Sequence, residues 1–142
     1  MGSPEVDPAP LLDTHAWLWW IRRDPRLGEA ALAALDAFPP EGRPYLADIS
    51  LWEVAMLAAR GRLDLTAPLA EWLAAASHPR SVRVLPISAA IATETAAFAK
   101  SALRDPADRI IVATSRVLGV PLLTHDRTIL RSRLVTPWTP EL

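Results

Sequence analysis

Short apolar runs of strand length alternate with helical stretches along this 142-residue chain. That alternation constrains the fold more than any other feature. Parallel neighbours in a sheet need a crossover long enough to hold a helix, so strand–helix–strand order points to parallel pairing. The strands read as Leu11-Leu12, Tyr45–Ile49, Val82–Leu85, Leu122–Thr124 and Leu134-Val135. Helical stretches read as 14–22, 27–37, Ser50 to near Gly61, 68–77, 88–101, 105–118 and 127–131. Pro39-Pro40, His78-Pro79 and Pro86 separate them, and Gly119 stops the helix that ends at Leu118. The expected fold class is α/β, a three-layer α/β/α arrangement with a mostly parallel central sheet. Residues 1–10, with Pro4, Pro8 and Pro10, read as an extended arm, and Met1-Gly2-Ser3 is compatible with an added tag. Residues 11–142 read as a single domain. Because proline fits badly in a central strand, an irregular start is expected near Leu11.

A carboxylate stands where a strand or loop turns into a helix in four places. These are Asp13 in Leu-Leu-Asp-Thr-His, Glu53 in Ser-Leu-Trp-Glu, Asp108 in Asp-Pro-Ala-Asp-Arg and Asp126 in Leu-Leu-Thr-His-Asp. In an α/β fold such turns gather at one edge of the sheet. Four acids meeting there repel one another unless cations neutralise them. Mg²⁺ or Mn²⁺, which prefer oxygen ligands, suit such a site and point to phosphodiester chemistry. Each acid also has a purely structural reading. Asp13, with Thr14 as the other candidate, reads as a helix cap, and Asp126 as a cap or turn residue. Ser50 and Glu53 match a capping box. Asp105 followed by Pro106 is a helix start, which leaves Asp108 as the acid without a capping role. His15 and His125, each beside one of the acids, read as polar rim residues rather than zinc ligands.

Composition narrows the function classes. Cysteine is absent, which removes disulfides, thiol nucleophiles and Cys-based zinc sites. No apolar run reaches membrane-spanning length, no signal peptide is evident, and a cytoplasmic location is the expectation. No glycine-rich phosphate loop is present. Net charge is −1, which at first argues against nucleic acid. Setting the four acids aside leaves 15 cations against 12 of the 16 anions, or +3. Fourteen of those cations are Arg, which grips phosphate with two donors. Genomic base composition explains the Arg bias equally well. In the first helix, Trp17 and Trp20 share a core face near Leu18 and Ile21. Trp19 is left as an exposed apolar patch of the kind that marks an interface. Arg22 and Arg23 end that helix, where the helix dipole also favours them.

Taken together, in this order and spacing, Leu-Leu-Asp-Thr-His-Ala at 11–16, Ser-Leu-Trp-Glu at 50–53, Asp-Pro-Ala-Asp-Arg-Ile-Ile-Val-Ala at 105–113 and Leu-Leu-Thr-His-Asp at 122–126 carry a resemblance. The chain resembles the PIN-domain ribonucleases, most closely VapC-type toxins of toxin–antitoxin modules, over about residues 11–136. The resemblance implies Mg²⁺- or Mn²⁺-dependent RNA cleavage with one or two ions, a homodimer, and inhibition by a cognate VapB-type antitoxin. It implies Asp13, Glu53, Asp108 and Asp126 as the acidic quartet that is both metal-binding and catalytic, with Thr14 in support. Members of the family commonly carry His two residues before the Asp of Asp-Pro, where this chain has Leu103.

The expected reaction is hydrolysis of RNA phosphodiester bonds by metal-activated water. Arg22, Arg23, Arg109 and Arg127 are the candidate contacts to the RNA backbone, and Trp19 is the candidate antitoxin contact. A receiver-like Mg²⁺-binding signalling domain is the first alternative. It needs an Asp after a middle strand and a Lys after a late one, yet Val82–Leu85 is followed by Pro86-Ile87 and Lys100 is the sole Lys. A catalytically idle binding domain of the same fold is the second.

Overall fold

A computed structural model describes residues 9–140. Most of the expected arm, including Met1-Gly2-Ser3, lies outside the described residues. Four short strands form one parallel sheet: β1 (Leu11–Leu12), β2 (Tyr45–Ala47), β3 (Arg83–Leu85) and β4 (Leu122–Leu123), in the order β3-β2-β1-β4. Leu11 pairs with Tyr45 and with Leu122, and Leu12 with Leu46 and with Leu123. Among the described residues, seven α-helices surround it: α1 (Thr14–Arg22), α2 (Glu29–Ala37), α3 (Ile49–Ala59), α4 (Leu69–Ala76), α5 (Ala89–Ala97), α6 (Pro106–Leu118) and α7 (Arg127–Ser132). Among the described residues no helix is long and apolar enough to cross a membrane.

The three layers follow from the period of two along each strand. Leu12, Leu46 and Leu123 enter one core with Trp17, Trp20 and Leu35. Their neighbours Leu11, Ala47 and Leu122 enter the other with Ile91, Ile111, Val112 and Ile129. Strands buried on both faces must be apolar throughout, which is why β1 and β4 are simple Leu-Leu pairs. β1 starts cleanly despite Pro10, because the proline precedes the strand and offers its carbonyl to the Tyr45 N–H at 2.9 Å.

Several elements differ from the sequence reading. The helix expected from Leu27 begins at Glu29, after a 3₁₀ turn at Pro25–Leu27 capped by Asp24. The Ala-rich helix expected over 88–101 stops at Ala97, because the chain bends to bury Phe98 and Leu103 in the second core. Leu134-Val135 is no strand. The outer edge of β4 is met two residues later, where Leu122 N–H donates to Thr136 O and Trp138 N–H to Leu122 O, both at 2.9 Å. Pro137 stands between those partners at the sheet edge, where its missing N–H costs nothing. Ile21 is 38% exposed rather than part of the core, while Trp17, Leu18 and Trp20 are buried.

The Ser50–Glu53 capping box does not form. The helix α3 starts one residue early, at Ile49, with Asp48 as its N-cap and no side-chain capping bond. Ser50 is fully buried, and its hydroxyl pairs with Thr14 Oγ1 at 2.9 Å. Tertiary contact with α1 has therefore taken both side chains from the local motif.

Candidate active site

All four strands run the same way, so the turns that follow them open on one edge of the sheet. Asp13 follows β1 directly. It is the N-cap of α1, and its Oδ1 accepts the Ala16 N–H at 2.8 Å. Asp126 follows β4 by three residues and caps α7, accepting the Ile129 N–H at 3.0 Å. Glu53 lies one turn inside α3, immediately after β2. Asp108 sits in the first turn of α6, behind its N-cap Asp105, whose Oδ1 accepts the Ala107 N–H at 2.8 Å. The N-terminal, electropositive ends of α1, α6 and α7 thus carry these acids, which is where carboxylates are best tolerated.

Asp13, Glu53, Asp105, Asp108 and Asp126 together line one pocket of about 260 Å³, closed by Thr14, His15, Trp19 and His125. The fold therefore brings together, from four separate segments, every acid of the expected quartet, and it adds Asp105, which the sequence reading had limited to capping. Both roles hold for Asp105, Asp13 and Asp126: each caps a helix and faces the pocket.

The crowding is visible in the electrostatics. Burial pushes Asp13 up from the ordinary carboxylate value, opposed by hydrogen bonds from Thr124 and Ala16 and raised further by Asp126. Burial also raises Glu53, with Asp105 and Asp13 adding repulsion and the Thr14 hydrogen bond opposing. Asp108 is pushed up to about 7, first by burial and then by Asp105, Asp126, Glu53 and Asp13 in turn. Among the described residues, no three carboxylate or imidazole groups are already drawn together tightly enough to hold one metal ion. The donor set nonetheless suits a hard divalent ion: oxygen ligands, excess negative charge and mutual repulsion that such an ion relieves.

A short hydroxyl relay supports Glu53. Thr14 donates its single hydroxyl proton to Glu53 Oε1, so Ser50 must donate to Thr14 in turn. Ser50 was read from sequence as a cap, and its place in this relay depends on a contact 36 residues away.

The rim is aromatic. Trp19 is half-buried rather than exposed, with His15 and His125 packed edgewise at 6.3 and 5.3 Å between ring centres. The Arg26 guanidinium lies 4.9 Å from the Trp19 ring centre, a contact the sequence did not suggest. None of the arginines singled out lines the pocket; Arg127 is the first residue of α7, next in the chain to Asp126. Arg22 and Arg23 end α1, roughly 14–15 Å along its axis from the capping acid. There Arg22 donates to Asp64 O and Arg23 pairs with Asp36 at 2.6 Å. Arg109 is turned to the α5–α6 connection, donating to Leu103 O at 2.6 Å and Ala99 O at 3.1 Å.

The model of the PIN domain matches residues 11–133. Ribonuclease VapC22 of Mycobacterium tuberculosis (strain H37Rv) is 38% identical over 130 residues, covering 91% of this chain and 95% of that protein. Among solved structures, FitAcB from Neisseria gonorrhoeae superposes with a TM-score of 0.67 at 25% identity, over 92% of this chain and 96% of that one. VapBC2 from Rickettsia felis, bound to a DNA fragment from its promoter, superposes with a TM-score of 0.66 at 12% identity, over 92% and 98%. At that identity the second likeness is one of fold.

Proposed function

The chain belongs to the PIN domain family, and from that premise we propose that it is a VapC-type endoribonuclease, the toxin half of a toxin–antitoxin module acting in the cytoplasm. Residues 11–142 form its single nuclease domain. The observation that carries the reading is the pocket itself: Asp13, Glu53, Asp108 and Asp126 arrive from four segments, and burial together with repulsion among neighbouring acids raises the proton affinity of Asp13, Glu53 and Asp108. Family membership removes the receiver-like alternative.

One or two Mg²⁺ or Mn²⁺ ions held by these four carboxylates would activate water and offset negative charge developing on the scissile phosphate. The chain supplies the rest. Backbone N–H groups fix one oxygen each of Asp13 and Asp126, so both carboxylates keep a set direction. Thr14, backed by Ser50, orients Glu53. Because Asp108 sits at about 7, it holds a proton in mildly acidic solution and yields it as pH rises or as a cation enters. Arg127, next in the chain to Asp126, would receive a backbone phosphate.

The partner reading follows the relatives. A VapB-type antitoxin covers the pocket and Trp19, presenting Arg to the carboxylates, and the toxin acts as a homodimer. The test is cleavage of single-stranded RNA by the purified protein with Mg²⁺, with EDTA, and as Asp13→Asn. Loss of cleavage in both of the latter supports the reading. Cleavage undiminished by exhaustive chelation refutes it, and absence of cleavage under every metal condition returns the chain to the idle binding-domain alternative.

A further inference from the structure

Trp52 is the most exposed large hydrophobic side chain among the described residues, at 55%. The other five tryptophans are buried or half-buried. It stands on α3 directly before Glu53, and a helix turns about 100° per residue, so the two neighbours face adjoining surfaces. Glu53 lines the acidic pocket. Trp52 lines a second groove of about 390 Å³ whose walls include Met56, Arg60 and Pro106. The two cavities adjoin: His15, Glu53 and Asp105 line both.

An exposed indole against a groove needs an occupant with a flat apolar face. The groove opens from a centre that handles a polyanion, and Arg60 places a cation on its wall. A single-stranded nucleic acid meets both conditions, since every base offers a face to stack and every linkage a charge to pair. Resting on the ribonuclease reading above, we propose that Trp52 is the base-stacking platform for single-stranded RNA leaving the acidic pocket, with Arg60 holding a phosphate of the same strand. Trp52 is then a specificity-determining residue: it ranks substrates by how well the base one step from the cleaved linkage stacks.

The experiment compares wild type, Trp52→Ala and Trp52→Phe on a short single-stranded RNA, with KM and kcat separated. Trp52→Ala should raise KM by about 5- to 150-fold, the span of base–aromatic stacking, and leave kcat near wild type. Trp52→Phe should recover most of the loss. Replacing each nucleotide in turn by an abasic residue should reveal one position at which wild type weakens and Trp52→Ala does not. Equal KM values, or no such position, overturn the proposal. So does a loss of the oligomer in Trp52→Ala by light scattering, which would make the groove a contact between copies. In an Asp108→Asn background, binding of the labelled RNA read by anisotropy should weaken by the same factor on adding Trp52→Ala. That arm scores the platform even if wild type fails to cleave, which is the separate failure of the ribonuclease reading.

Discussion

Asp108→Asn should make the metal-free protein more stable while abolishing cleavage. Asp108 has its carboxyl pushed from 3.8 to about 7 by burial and by four neighbouring acids. At about 1.36 kcal/mol per pH unit, that distance corresponds to roughly 4 kcal/mol of unfavourable free energy once the group is forced to ionise. Asp108 is half-buried, so water and salt screen a good part of it, and about 2 kcal/mol is the figure to expect near physiological ionic strength. The sign follows from proton counting. Between about pH 4 and 7 the folded chain holds a proton that the unfolded chain releases, so stability falls as pH rises through this window. Asn carries no charge at any pH. The gain should thus be full at pH 8, nearly full at pH 7, about half of that near pH 5.5 and almost absent at pH 4. For a chain of this size the gain at pH 8 is roughly 5–10 °C in melting temperature. Mg²⁺ should reverse the order, stabilising wild type more than the variant, because binding to the native state adds to stability. Melting curves at pH 4 and pH 8, each with EDTA or Mg²⁺, read all four corners. A variant that is no more stable than wild type at pH 8 in EDTA, or is equally stabilised at every pH, refutes the reasoning.

Glu53→Gln should also lose cleavage and gain melting temperature without metal, because burial first and then its acidic neighbours raise this carboxyl too; near-normal cleavage would leave a three-acid site. Thr14→Val removes the hydroxyl between Ser50 and Glu53 and leaves Ser50 buried without its partner. It should cost roughly 1–3 kcal/mol in urea denaturation and lower cleavage, and a variant of wild-type stability would show the relay to be dispensable. Trp19 should lose its remaining solvent access when the antitoxin binds, and a complex that leaves it as exposed as in the free protein counts against the partner reading.

What the sequence made legible was local: an apolar pair, then an acid, then a helical stretch. Asp105, Asp13 and Asp126 cap helices as their types and positions suggest. Their convergence follows from parallel topology, which the strand–helix alternation already implied. What escaped was decided by partners distant in the chain. Ser50 and Glu53 satisfy a capping-box pattern, yet a buried hydroxyl on α1 competes for both. The final pairing with β4 fell on Pro137, a residue that propensity excludes and an edge position allows. Arg22, Arg23 and Arg109 have the right chemistry for phosphate but are spent on Asp64, Asp36 and the Leu103 carbonyl. No pattern within a helix shows which surface charges will find partners across the fold. Trp19, read as exposed, is packed by His15 one helical turn before it and by His125, which reaches it only through the fold.

Asp13 and Asp126 each give one carboxylate oxygen to a helix's first turn. On the proposed reading, catalysis and folding therefore share these two side chains, and the way in which cleavage is lost decides what remains of the chain. An Asp→Asn change keeps an oxygen for the backbone N–H and leaves a folded, silent protein still able to occupy a partner. An Asp→Ala change removes the cap as well, at about 1 kcal/mol, a sizeable share of the margin by which ordinary domains stay folded. Inactive descendants should thus accumulate amides at these two sites in preference to alanines, and a lineage freed from selection for cleavage would still be held near its original sequence there by the helices alone.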